Sequence, residues 1–153
     1  MTGTLRGLRE VREFRPAPPL AERLGHSVRL PGGPRGAGAA RVAVRSLLLR
    51  HGLADLCGTA ALVTSELVSC ADRFTPGLEM TLTVRWRFDA LRIVLYDQHP
   101  AHSSPEVGEE CRRSRSRAMW LLARAVESGG GDWGLTPVLT PRGGTKSWAL
   151  LSR

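Results

Sequence analysis

At 153 residues the chain is the size of one domain and can bury a single sizeable core. Its 42% apolar and 24% charged residues are those of a globular chain without repeats; no apolar run approaches the ~18 residues of a membrane span, and the N-terminal MTGTLRGLREVREFRP lacks the apolar stretch of a secretory signal, so the expected compartment is the cytoplasm. The net charge of +8, with Lys146 as the only lysine, suits nucleic acid, nucleotide phosphates or an acidic protein surface, although GC-rich coding gives the same excess of Arg, Ala and Gly.

Residues 1 to 20 are an arginine-rich lead and a proline-rich linker. Leu5, Leu8 and Val11 recur every third residue, which fits either a short amphipathic helix docking on a partner or a frayed segment. The prolines of RPAPPL then forbid helix. A single domain is expected over 21–153. HSVRL reads as a first strand, closed by the turn-rich PGGPRGAG. From Ala39 to His51, Val42, Val44, Leu47 and Leu48 predict a helix, with Gly52 placed to end it.

The next helix is predicted from about Asp55 to Phe74, because Leu56, Ala60, Val63, Leu67, Ala71 and Phe74 form one apolar stripe. EMTLTVRWRF alternates between Met80, Leu82, Val84, Trp86 and Phe88 on one face and polar residues on the other, the pattern of a half-buried strand. LRIVLYD is apolar on both faces and reads as central. A polar loop over 98–111 is expected to lead into a helix from Arg113 to Glu127. Two strands, near 133–139 and 145–151, are joined by the TPRGG turn. The order is that of an α+β fold with one sheet and helices on one face, a two-layer sandwich.

Cys57, Cys70 and Cys111 are an odd number without C-x-x-C spacing, so neither a disulfide framework nor a zinc site follows, and buried free thiols are expected. His26, His51, His99 and His102 show no established ligand spacing; His99 and His102 only share a polar loop.

Four segments carry a resemblance: RVAVRSLLLRHGLADL, LVTSELVSCADRF, LRIVLYDQHP and WGLTPVLTPRGGTKSWALL. In this order and spacing they resemble the histidine-kinase-like ATPase family (the GHKL or Bergerat fold), and within it the small bacterial branch of anti-sigma-factor serine kinases. The resemblance implies a two-layer α/β sandwich with a mixed sheet and helices on one face. It also implies a site for ATP and Mg²⁺. On the second segment Glu66 matches the family's general base, while Cys70 stands where an asparagine helps to hold Mg²⁺. Residues i and i+4 share a helix face, so base and metal ligand address one triphosphate; a thiol, however, is a poor ligand for so hard a cation.

By the same resemblance Asp97 is the adenine anchor, and Pro100 matches a proline of this branch. The glycines of the phosphate loop are replaced in Ser116-Arg117-Ala118-Met119, where Arg117, with Arg112, Arg113 and Arg115, would supply charge to phosphates or form a solvated basic face. Thr145 and Lys146 stand in an altered version of the family's terminal G-G-K-T turn. Three readings follow. The first is an anti-sigma-factor-like regulator acting through a protein partner, a sigma factor or its antagonist, with a weakened or lost ATP site. The second is an active ATP-dependent serine kinase, and the third a basic nucleic-acid-binding regulator. A homodimer is an open expectation, since relatives of that branch often dimerise; no membrane partner is expected.

Overall fold

The computed structural model describes residues 20–153; the arginine-rich lead and nearly all of the linker lie outside them. A five-stranded sheet has the order β1-β2-β3-β5-β4, built from β1 (Gly25–Leu30), β2 (Met80–Arg87), β3 (Ala90–Asp97), β4 (Asp132–Pro137) and β5 (Thr145–Ser152). Four helices accompany it among the described residues: α1 (Gly36–Arg50), α2 (Cys57–Phe74), α3 (Pro105–Ala118) and α4 (Trp120–Ser128). The central place expected for LRIVLYD is the one β3 holds.

The sheet is wholly antiparallel, not mixed. The reason lies in the crossovers. Leu30 at the end of β1 pairs with Met80 at the start of β2, so α1 and α2 together bring the chain back to the end of the sheet it left. α3 and α4 carry the chain from Asp97 to the far end, and β4 runs in the same direction as β3. β5 inserts between those two strands and pairs antiparallel with both, so no parallel pair forms.

α2 packs over β3 and β5, α4 over β4 and β5, and α1 mainly against α2. The inward stripe of α2 (Ala60, Val63, Leu67, Ala71) meets Leu82, Ile93, Leu95 and Ala149 of the sheet in one core. The helical stretch Ala54–Phe74 has the length and mean hydropathy of a membrane span, but its apolar stripe is spent on this core. Among the described residues the opposite face of the sheet carries no helix and presents Val94, Tyr96, Trp148 and Leu150, all half-buried, beside exposed Lys146.

The helix expected from Arg113 to Glu127 begins eight residues earlier and is broken in two. Ser104 caps α3 by accepting from the Val107 N–H, and Pro105 follows at the first helical position, where its missing N–H costs nothing. Met119 interrupts the helix with φ −98° and ψ 22° and is itself fully buried.

The β2–β3 hairpin turns through Phe88 (φ 52°) and Asp89 (φ 55°), the two residues between the paired Arg87 and Ala90. Positive φ at both is the type I′ geometry that favours Asn-Gly, and Phe88 is fully exposed, so no described residue packs on its ring to offset the strain. Replacing Phe88-Asp89 with Asn-Gly is expected to raise stability by about 1 kcal/mol. An unchanged denaturation midpoint would show that the hairpin is not strained.

Candidate functional site

Asp97 ends β3 on the helix-facing side of the sheet, and its side chain is 2% exposed. Its partner comes from α3. Cys111, Arg115 and Met119 step by four along that helix and share its inward face, so an arginine takes a place otherwise held by apolar side chains. The guanidinium of Arg115 donates from Nη2 to Asp97 Oδ2 at 2.6 Å and from Nη1 to Oδ1 at 3.4 Å, the bidentate fork that suits a carboxylate. Nη2 also donates to Ser147 Oγ at 3.3 Å, and the guanidinium carbon lies 5.5 Å from the centre of the Phe74 ring. The Nε of Arg115 is buried without a partner. Burial opposes the charge of Arg115, but the bonds and charge of Asp97 outweigh it and hold the guanidinium protonated.

Cys70 faces the same cluster. Its Sγ lies 3.9 Å from the backbone carbonyl of Arg115, and burial raises the pKa of the thiol although the Arg115 charge works the other way. The position to which the resemblance assigns a Mg²⁺ ligand is thus occupied by a buried thiol whose burial favours the neutral form. Glu66, one turn earlier on α2, is half-buried.

A cavity of about 500 Å³ opens beside this cluster, lined among others by Pro100, Arg112, Arg115, Leu135 and Thr145. Arg115 forms part of its wall, whereas Asp97 does not. Of the residues the resemblance assigns to nucleotide, Pro100 and Thr145 line this cavity. Lys146 pairs with Tyr96, while Thr145 pairs with Asp97. Alternation therefore puts Lys146 on the face of the sheet opposite α2 and α4. Arg117 is exposed, donates to Ser114 at 3.2 Å and pairs with Glu110 at 3.5 Å. It borders a separate groove with Arg73 and Trp120. Ser116-Arg117-Ala118 form the last turn of α3. Their N–H groups are committed to the helix and point away from any phosphate cradle.

The arginines of α3 behave in two ways. Arg112 and Arg113 form exposed ion pairs with Glu109, a solvated face that stabilises little. Arg115 alone turns inward.

A second cluster lines the same cavity. His99 Nε2 lies 3.1 Å from His102 Nε2 and 3.2 Å from Cys111 Sγ, and the three donor atoms fall within 4.8 Å of one another. His99 is anchored from behind: its Nδ1 is 3.2 Å from the Phe74 carbonyl and 3.3 Å from Thr75 Oγ1. Its pKa is lowered, chiefly by burial and then by the Arg115 charge. The loop expected over 98–111 conceals this grouping, because Cys111 rides on the second turn of α3. The H-x-x-H spacing of His99 and His102 was its one visible sign.

Against known proteins, the chain matches no family profile and no curated sequence.

Proposed function

We propose that the chain is a regulatory protein of the GHKL fold type that acts through a protein partner, and whose nucleotide site is closed from within. The order of the elements, an aspartate at the end of the central strand, and a cavity bordered by Pro100 and Thr145 support the family reading. The observation that carries the loss of the site is the buried Arg115–Asp97 pair at 2.6 Å. Asp97 is the group that would accept a hydrogen bond from the adenine amino group, and both of its oxygens already accept from Arg115. A nucleotide that broke this pair would forfeit about 3–5 kcal/mol, roughly two to three and a half decades of affinity. The helical Ser116–Ala118 turn and the buried Cys70 remove phosphate and metal contacts as well.

For the partner, α1 offers an exposed stripe. Val42 is 71% and Leu49 61% exposed, with exposed Arg45 between them on one helix face. That combination suits an apolar surface with acidic residues, of the kind a sigma factor or its antagonist would have to present. The exposed arginines of α3 already face Glu109 and Glu110, which weakens the case for a nucleic-acid footprint there.

Titration of the full chain with Mg-ATP is expected to give no saturable heat in the micromolar range. Micromolar, Mg²⁺-dependent binding, or transfer of the γ-phosphate to a protein serine that Glu66→Ala abolishes, would overturn this reading in favour of an active kinase.

A further inference from the structure

We propose that His99, His102 and Cys111 form a binding site for one zinc-type transition-metal ion, with a fourth coordination position turned toward the adjoining cavity.

Three donors from two separate elements, the loop after β3 and helix α3, converge on one point. A tetrahedral zinc with Zn–N of about 2.0–2.1 Å and Zn–S of about 2.3 Å requires ligand separations of roughly 3.4 Å between nitrogens and 3.6 Å between nitrogen and sulfur. The separations present are 3.1 Å for His99–His102 and 3.2 Å for His99–Cys111. Those two widen by a few tenths of an ångström to admit the ion, the third pair, His102–Cys111, lies within 4.8 Å, and exposed His102 can make the adjustment at little cost.

The surroundings of His99 fit this role. Its Nδ1 faces the Phe74 carbonyl, which accepts the Nδ1 proton and leaves the lone pair on Nε2. A backbone carbonyl behind the ring is the usual outer partner of a metal-bound histidine. That single lone pair is the acceptor shared by His102 Nε2 and Cys111 Sγ. A histidine–thiol nucleophile pair would need it for the thiol alone; one cation replaces both competing protons.

The donor set selects the metal. Two imidazoles and a thiolate favour zinc and its neighbours over Mg²⁺ or Ca²⁺, which prefer oxygen. Three protein ligands with one free position are the arrangement of zinc sites that hold water or a small ligand. Here the free side opens on a cavity whose wall includes Arg112, Arg115 and Glu109. The site does not rest on the reading of the nucleotide pocket.

The test uses the full chain, stripped with chelator and titrated with Zn²⁺ and, separately, Co²⁺. The expected result is one ion per chain, a tetrahedral Co²⁺ spectrum with a thiolate charge-transfer band, and a melting temperature that rises with zinc concentration. His102→Ala and Cys111→Ser should each weaken zinc binding by more than about 100-fold, beyond the usual cost of losing an outer-shell partner. Cys111→Ser should also remove the charge-transfer band. Cys57→Ser and His51→Ala should change neither, and residues 1–19 contain no histidine or cysteine to compete. Circular dichroism of the metal-free variants checks that they fold. Unaltered zinc affinity in folded His102→Ala and Cys111→Ser, or a Co²⁺ spectrum without the thiolate band, would overturn the assignment.

Discussion

Arg115→Met is expected to destabilise the fold by about 3–5 kcal/mol, because it leaves the Asp97 carboxylate buried without its counter-charge. Both side chains are 2% exposed, so water does not substitute for the lost partner. Asp97→Leu should cost a similar amount by stranding the guanidinium, whose Nε already lacks a partner. The double variant is the informative one. With both charges gone the penalty disappears, and an apolar pair of similar size restores stability to within about 1–2 kcal/mol or better. A small part of the deficit remains, since the His99 N–H also donates to Asp97 at 2.9 Å and such a bond is worth about 0.5–1.5 kcal/mol. Urea denaturation of the four proteins gives the coupling directly. Single variants costing under about 1 kcal/mol would mean that the pair behaves as a solvated surface bridge, and the closed-site reading would lose its support.

The second large effect is expected at Gly144. Its φ is +112°, a conformation that L side chains rarely adopt, and a Cβ there would lie 2.5 Å from the Tyr96 ring. Tyr96 cannot easily withdraw, because its hydroxyl donates to the Gly143 carbonyl at 3.1 Å. Gly144→Ala therefore incurs roughly 1–3 kcal/mol of backbone strain and a further 1–3 kcal/mol or so of overpacking. In a Tyr96→Ala background only the backbone part should persist. These losses belong to the nucleotide-free protein, whereas a glycine kept for contact with phosphate would show its importance only when ATP is present. A Gly144→Ala protein as stable as the parent would show that neither the backbone nor the Tyr96 ring is strained by a side chain there.

How much the sequence foretold depends on where the information sits. The alternation from Met80 to Trp86 and the stripe from Leu56 to Phe74 are local patterns, and the structure holds them as strand and helix. The start of α3 is polar (Pro105, Glu106, Gly108, Glu109), so no apolar period announced it; only the Ser104-Pro105 cap did. Strand direction was misjudged because β5 inserts between β3 and β4, a fact of pairing that no single segment encodes. Arg115 read as part of a basic face for a similar reason: its counter-charge is 18 residues away. The His99–His102–Cys111 grouping needed the helical phase of Cys111, which the loop assignment removed.

The Arg115–Asp97 pair has a consequence for what such a regulator would sense. A ligand carried on the same chain is present at an effective concentration fixed by the fold and not by the cell. Under the proposed reading, the ratio of ATP to ADP has no purchase on this protein. Its output would follow how much of it is made, degraded or sequestered: a device that counts its own copies instead of reading the energy charge.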